Sequence, residues 1–262
     1  MKFIFIFLLF LTGICKAQVW QAEVMIGASG YNGDLSQQRV PLKQLSPAIN
    51  LNIKYNTGNI FNLRAGIAYG RVGANDKDNT SAGLKSRNLN FKSDIVELNL
   101  IAELNLFDPE SYTAYPYIFA GIGVFHFNPF TYDNNKKKTY LQPLSTEGEG
   151  LKEYPDRKKY SLTQFCIPIG FGWKMTYKEK WDISYEFGYR IIFTDYLDDV
   201  SKTYVDLNVL AAEKGPKAAE LAYRGTGSSL QVDGHKRGNP SINDIYFFAG
   251  IKIGTSLSNI FR

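Results

Sequence analysis

Cysteine and histidine are both scarce in this chain, with two of each among 262 residues. Cys15 lies inside the apolar start, so Cys166 is the one thiol that remains once that start is removed. A single thiol makes no internal disulfide; Cys166 is either buried or paired with another chain, and burial is the simpler reading. Two histidines, His126 and His235, leave little for acid–base or nucleophilic chemistry. Beyond the N-terminus no run of about eighteen apolar residues occurs, which excludes a later transmembrane helix. A strong excess of one charge is missing too. The formal net charge is +5 with both signs interspersed, which does not point to nucleic acid.

The first segment reads as a targeting signal. Lys2 precedes the apolar stretch FIFIFLLFLTGI at 3–14, and Cys15-Lys16-Ala17 ends in a small residue before Gln18. That order predicts a secretory signal peptide, residues 1–17, cleaved after Ala17. The competing pattern, a lipoprotein signal acylated at Cys15, would want a small residue where Ile14 stands. Residues 18–262 then form one domain of ordinary size.

What is present in quantity is period-two alternation. It recurs eight times, over 20–29, 49–55, 61–70, 96–106, 117–125, 164–175, 181–191 and 245–254. In the third, Phe61, Leu63, Ala65, Ile67 and Tyr69 alternate with Asn62, Arg64, Gly66, Ala68 and Gly70. Successive strand side chains point to opposite faces, so each segment has one apolar face and one polar or small face. Each is about as long as a tilted strand needs to cross the hydrocarbon layer, and eight is the smallest usual number for an outer-membrane barrel. The connections alternate. Short turns at 56–59, 108–111 and 178–180 separate long loops at 31–47, 72–89, 130–161 and 194–243. Short periplasmic turns and long outer loops are the rule for such barrels. The fold class expected is all-β: an eight-stranded antiparallel up-and-down transmembrane β-barrel with long outer loops, in contact with outer-membrane lipids.

The soluble alternative is an exported binding barrel of the lipocalin kind, with its apolar face inward. Glycine placement argues against it. Gly66, Gly70, Gly121, Gly123, Gly170, Gly172, Gly188 and Gly250 all share the polar face. Glycine weakens a solvent-facing strand, whereas inside a narrow barrel small residues make room for large neighbours. The same face carries Arg64, Glu97, Glu103, Lys174, Glu186 and Arg190, which could pair across the lumen, and also Cys166. The apolar face carries Trp20, Tyr55, Phe61, Tyr69, Trp173, Trp181 and Tyr189 towards strand ends, where aromatic girdles sit. An interior filled in this way predicts a plug without general porin conductance.

The long loops hold distinctive segments: YNGDL from Tyr31, FNP from Phe127, LQPLSTEGEGL from Leu141 and FTDYLDDVS from Phe193. With RNLNF, AGIGVFHFNP and the strands, these resemble the PorG-like outer-membrane barrels of Bacteroidota, over nearly the whole mature chain. The resemblance implies an anchor or interaction component of the type IX secretion system, linked to the periplasmic ring proteins PorK and PorN. The alternative is a structural or adhesive small barrel of the OmpX or OmpW kind, with no secretion role. The periplasmic surface expected is small: short turns, an N-terminal stub and residues 254–262. A stable interface usually takes about twenty residues or more per side.

Two further readings concern chemistry. Asp195, Asp198, Asp199 and Asp206 could offer oxygen ligands to a cation, but their spacing matches no EF-hand, and acidic residues are common in turns and caps. His235 with Asp198 or Asp199 could form a catalytic pair, yet a loop histidine beside Lys236 and Arg237 reads first as a solvated surface residue. No catalytic, cofactor or metal residue is therefore assigned, and no enzyme is expected. Residues 207–224 have the composition of two short helices broken at Gly215-Pro216, capping the barrel mouth.

Overall fold

The computed structural model describes residues 19–36, 38, 40–57, 60–178, 180–225 and 232–260. The signal segment 1–17 lies outside them, as do residues 58–59 and 179 of two expected turns and 226–231 of the last loop. Eight long strands form: β1 (Val19–Asn32), β2 (Ser46–Asn56), β3 (Phe61–Asn75), β4 (Asn90–Asn105), β5 (Ala114–Tyr132), β7 (Thr163–Tyr177), β8 (Trp181–Ile192) and β9 (Ile245–Ser256). A short strand, β6 (Lys138–Tyr140), pairs with the outer end of β5. All long-strand neighbours are antiparallel. β1 pairs with β9 from Gln21↔Ser256 to Asn32↔Ile245, which closes the sheet into an eight-stranded barrel. Closure gives every spanning strand a partner on both sides, as a strand structure in lipid requires.

Side-chain polarity decides which face is inside. Along β3, Asn62, Arg64 and Ala68 are buried, while Phe61, Leu63, Ile67 and Tyr69 are exposed. The same split runs round the barrel, with Leu51, Leu98, Ile122, Phe171, Tyr185 and Ile251 on the outside. This is the inverse of a soluble barrel: an apolar belt outside and charges within. It is the arrangement of an outer-membrane β-barrel. Trp20, Phe61, Trp173 and Trp181 sit exposed at the end that carries the short turns, with Trp20 and Tyr55 rings 5.0 Å apart. These connections cover 57–60, 106–113 and 178–180; the other end carries 33–45, 76–89, 133–162 and 193–244. Two outer loops hold short α-helices: α1 (Ala82–Arg87) in one, α2 (Leu207–Lys214) and α3 (Pro216–Ala222) in the other, the last two meeting at Gly215 as expected. A terminal turn, α4 (Leu257–Ile260), follows β9 where only a tail was expected.

The strands are longer than the alternation predicts. β3, β4 and β5 run on through 71–75, 90–95 and 126–132, so the loops beyond them are shorter than 72–89 and 130–161. The pattern inverts there. Outward positions become Arg71, Lys92, Asp94 and Asn128, while the buried inward ones become Val72, Ala74, Phe91, Ile95 and Phe127. Above the lipid the exterior is water and the interior is dry, so the same pleat exchanges polarity between its faces. Pro168, without an N–H, sits where the β5–β7 ladder is interrupted between Ala120↔Ile169 and Gly123↔Cys166.

The lumen glycines are seats for rings. The Phe119 ring lies over the cross-strand pair Gly170↔Gly188, and a Cβ at either would stand 2.5 or 2.6 Å from Phe119 Cζ. A Cβ at Gly172 would meet Tyr117 at 2.4 Å. We expect Gly188→Val to destabilise the barrel by about 1–3 kcal/mol through overpacking. Urea titration of the folded protein in vesicles measures it; unchanged stability would contradict the ring-seat reading.

Candidate functional site

The lumen and the outer cap are the two places where function-bearing side chains gather. In the lower lumen, four cations (Lys54, Arg64, Lys174, Lys252) meet four carboxylates (Glu23, Glu103, Asp182, Glu186). Arg64 holds Glu186 with two hydrogen bonds, Nη1 to Oε2 at 2.7 Å and Nη2 to Oε1 at 3.0 Å. Tyr117 Oη and Lys252 Nζ each donate to the same Oε2 at 2.7 Å. Lys54 pairs with Glu23 at 2.7 Å, Lys174 pairs with Glu103, and Lys252 bridges Glu23 and Glu103 at 3.4 and 3.6 Å. Higher up, Arg190 Nε reaches Glu97 at 3.1 Å, and Tyr246 Oη donates to Glu97 at 2.7 Å. Cations and anions therefore balance at each level. Glu97, Glu103, Tyr117 and Tyr246 have no exposed surface at all, so no open water path runs past them.

All six lumen charges expected from the sequence are there, paired as Arg64–Glu186, Lys174–Glu103 and Arg190–Glu97. Glu23, Lys54, Asp182 and Lys252 complete the set and were not anticipated as members. Their signal was available, since each has the parity of the polar face of its strand. Cys166 faces the lumen and is buried, its Sγ 3.7 Å from Tyr246 Oη.

The cap is assembled from all four outer loops. Arg237 is buried and donates Nη1 to Glu147 Oε1 at 3.0 Å and Nε to Ala222 O at 3.3 Å. Glu147 also accepts from the backbone N–H of Ser201 and Lys202 at 3.0 and 2.9 Å. Arg87 donates to both Asp76 oxygens at 2.8 Å and to Asp34 O at 2.9 Å. Phe127, Tyr160 and Tyr196 stack in series, at 6.2 and 4.7 Å, and tie the barrel rim to the cap. Residues 145–149 and 197–201 are thereby buried. Most of the two segments LQPLSTEGEGL and FTDYLDDVS is packed into the cap, with Pro143, Gly150 and Phe193 left exposed.

Three of the four acidic residues raised for cation binding have structural partners instead, while both carboxylate oxygens of buried Asp195 lack a hydrogen-bond partner among the described residues. Asp198 accepts from Tyr31 Oη and Val200 N, Asp199 from Thr146 and Tyr160 hydroxyls, and Asp206 caps α2 through Asn208 N and Val209 N. Among the described residues no group of three or more His, Cys, Asp or Glu is arranged to hold a metal ion. His126 lies outside on β5, with Nδ1 3.1 Å from Thr163 Oγ1, and His235 lines a surface cleft with Tyr204, Tyr223 and Lys236. Asp198 and Asp199 take the donors named above, with Arg237 3.8 Å from Asp199, and His235 is not among them, so the structure does not bring the suggested histidine–aspartate pair together.

Over residues 1–213 the sequence matches the family described as a domain of unknown function, DUF6089. The chain belongs to that family. No curated protein matches the DUF6089 chain in sequence. Solved structures similar to it include Neisserial surface protein A, at 8% identity and TM-score 0.45, covering 91% of this chain and 97% of that one. Ail, the attachment invasion locus protein of Yersinia pestis in complex with the heparin analogue sucrose octasulfate, is 8% identical at TM-score 0.41, covering 92% and 99%. The outer membrane protein OprG of Pseudomonas aeruginosa is 10% identical at TM-score 0.37, covering 90% and 96%. At such identities the likeness is one of fold.

Glu186 holds three groups at once, so its loss leaves a buried cation excess. We expect Glu186→Gln to cost about 3 kcal/mol or more, the penalty for breaking a buried pair, and Glu186→Gln with Lys252→Met to recover part of it. Urea midpoints in vesicles decide; equal midpoints for wild type and the single variant would contradict the network. In the cap, burial is the first cause that pushes Glu149 and Asp195 up to about 8 and Asp199 up to about 6. The closed cap thus keeps protons that an opened cap releases, and its stability falls as pH rises from about 4 to about 8. Amide exchange of residues 194–201, corrected for intrinsic rate, should be less protected at roughly pH 9 than at roughly pH 5. Asp195→Asn should flatten that dependence.

Proposed function

We propose that the DUF6089 chain is a non-conducting outer-membrane anchor that presents a folded cap as its interaction platform. The observation that carries this reading is the charge-balanced lumen, whose side chains leave no exposed surface along Glu97, Glu103, Tyr117 and Tyr246. A barrel filled in this way has no room for solute flux, and its work is left to its surfaces. The outer surface is the larger. Loops of 13, 14, 30 and 52 positions (33–45, 76–89, 133–162, 193–244) join into one cap, while the other end offers three short connections and α4. Interfaces usually take about twenty residues or more per side, which favours partners on the outer face. This is a structural or adhesive role for a small barrel.

The resemblance to PorG-like barrels favours a second reading, as a type IX secretion component that meets PorK and PorN beneath the membrane. What supports it is the pair of segments LQPLSTEGEGL and FTDYLDDVS, and in this chain most of each is packed into the cap. In planar bilayers we expect no large, stable openings from the purified protein; such openings would overturn the anchor reading. Cross-linking in intact cells separates the two roles. Partners joined through outer-loop positions such as Lys152 support the platform, whereas capture of periplasmic ring proteins through the 106–113 turn supports secretion.

A further inference from the structure

The inverted rim of the barrel is not uniform around its circumference. Outward positions just above the lipid-facing Tyr69 and Val96 carry Arg71 on β3, Lys92 and Asp94 on β4, and Lys138 on β6. Arg71 stands two residues beyond Tyr69, about 7 Å along a strand, which places it at headgroup level. Arg71 Nε bonds Asp94 at 2.6 Å, and Lys138 lies 3.8 Å from the same carboxylate and 3.8 Å from the Phe130 ring centroid. Beside them a cavity of about 280 Å³ opens between the first outer loop and the β3–β4 edge. Lys43 and Lys92 both line it, together with Gly73, Asn75 and Asp78. Four cations thus face two carboxylates, Asp78 and Asp94. At matching outward positions elsewhere, the rim holds Asn32, Pro47, Thr163, Phe193 and Ile245, none of them charged.

We propose that the cleft between Lys43 and Lys92, flanked by Arg71 and Lys138, binds the phosphorylated headgroup of an outer-leaflet glycolipid. Basic clusters at the membrane surface attract anionic headgroups. Confinement to one sector makes this a site, where a uniform basic ring would be a general interfacial preference. The acyl chains then run down the exposed outer face of Tyr69, Ile67 and Val96. The Lys138 ammonium itself lies over the Phe130 and Tyr140 rings, 3.8 and 4.9 Å from their centroids, which hold it at the rim by cation–π attraction.

The test uses the full folded protein in phosphatidylcholine nanodiscs containing lipid A with its phosphates or enzymatically dephosphorylated lipid A. Native mass spectrometry reads the retained lipid. The triple variant Lys43→Gln, Lys92→Gln, Lys138→Gln is compared with Lys152→Gln, Lys158→Gln, Lys159→Gln, which removes the same charge from an outer loop. Wild type and the loop variant should retain the phosphorylated form, and the rim variant should lose affinity on the order of ten-fold or more. Equal retention by the rim variant, equal retention of the dephosphorylated form, or full displacement by inorganic phosphate would each overturn the proposal. All substituted side chains lie outside the lumen, and heat-modifiable mobility in gels checks that each variant has closed its barrel.

Discussion

Burying ten charges inside a narrow, closed barrel is tolerable only if each finds its opposite, and that requirement organises this protein. An unpaired ion in such an interior costs several kcal/mol, while its partner in good geometry offsets the loss. The balance is met by residues far apart in sequence: Arg64 with Glu186, Lys174 with Glu103, Arg190 with Glu97. Glu186 also holds Lys252 and Tyr117, so strands β3, β5, β8 and β9 are joined through one carboxylate. The register of the whole barrel must agree before any of these pairs can form. A one-residue slip in any strand would turn its charges into lipid. The same network fills the lumen and turns the barrel into an anchor.

Large rings complete the filling. Phe119 and Tyr117 occupy space that Gly170, Gly172 and Gly188 leave empty, and Arg64 stands 5.2 Å over the Phe119 ring. Above Glu97 the interior changes character. Tyr246, Phe248, Phe125 and Phe127 lead from the ion pairs into a dry core of Val72, Phe91, Ile95 and Leu221. That core belongs to the outer extension of the barrel, where water surrounds the strands. A membrane barrel below and a soluble barrel above therefore share one set of strands, and the cap seals the second. Its buried carboxylates Asp76, Glu147 and Asp199 are satisfied by Arg87, Arg237, hydroxyls and backbone N–H groups from three of the loops.

Within the lipid layer, most of this was legible in the residues alone. The apolar positions of 61–70 or 181–191 repeat every second residue because one face meets hydrocarbon and the other the lumen, and glycine on the polar face identifies the inside. The loop alternation follows from the same reading, as does Gly215-Pro216 as the break between α2 and α3, since glycine and proline punctuate helices wherever they stand. Where the environment switches, the signal was lost: Arg71, Val72, Gly73 and Ala74 continue β3 with polarity exchanged between faces, and a reading based on one fixed apolar face stops at Tyr69.

What the sequence by itself determined was therefore the number of strands, their inward and outward faces and the sidedness of the loops, because these depend only on local periodicity against two known environments. Only the tertiary structure decided which charge meets which, since pairing depends on register and shear among strands far apart in the chain, 122 residues between Arg64 and Glu186. It also decided that Glu147 and Arg237 meet, ninety residues apart, in loops with no period to read. The aspartates of 195–199 look in sequence like a cation loop. In the fold Asp198 and Asp199 are cap-interior acceptors, because a carboxylate's role is set by the donors that tertiary packing brings to it.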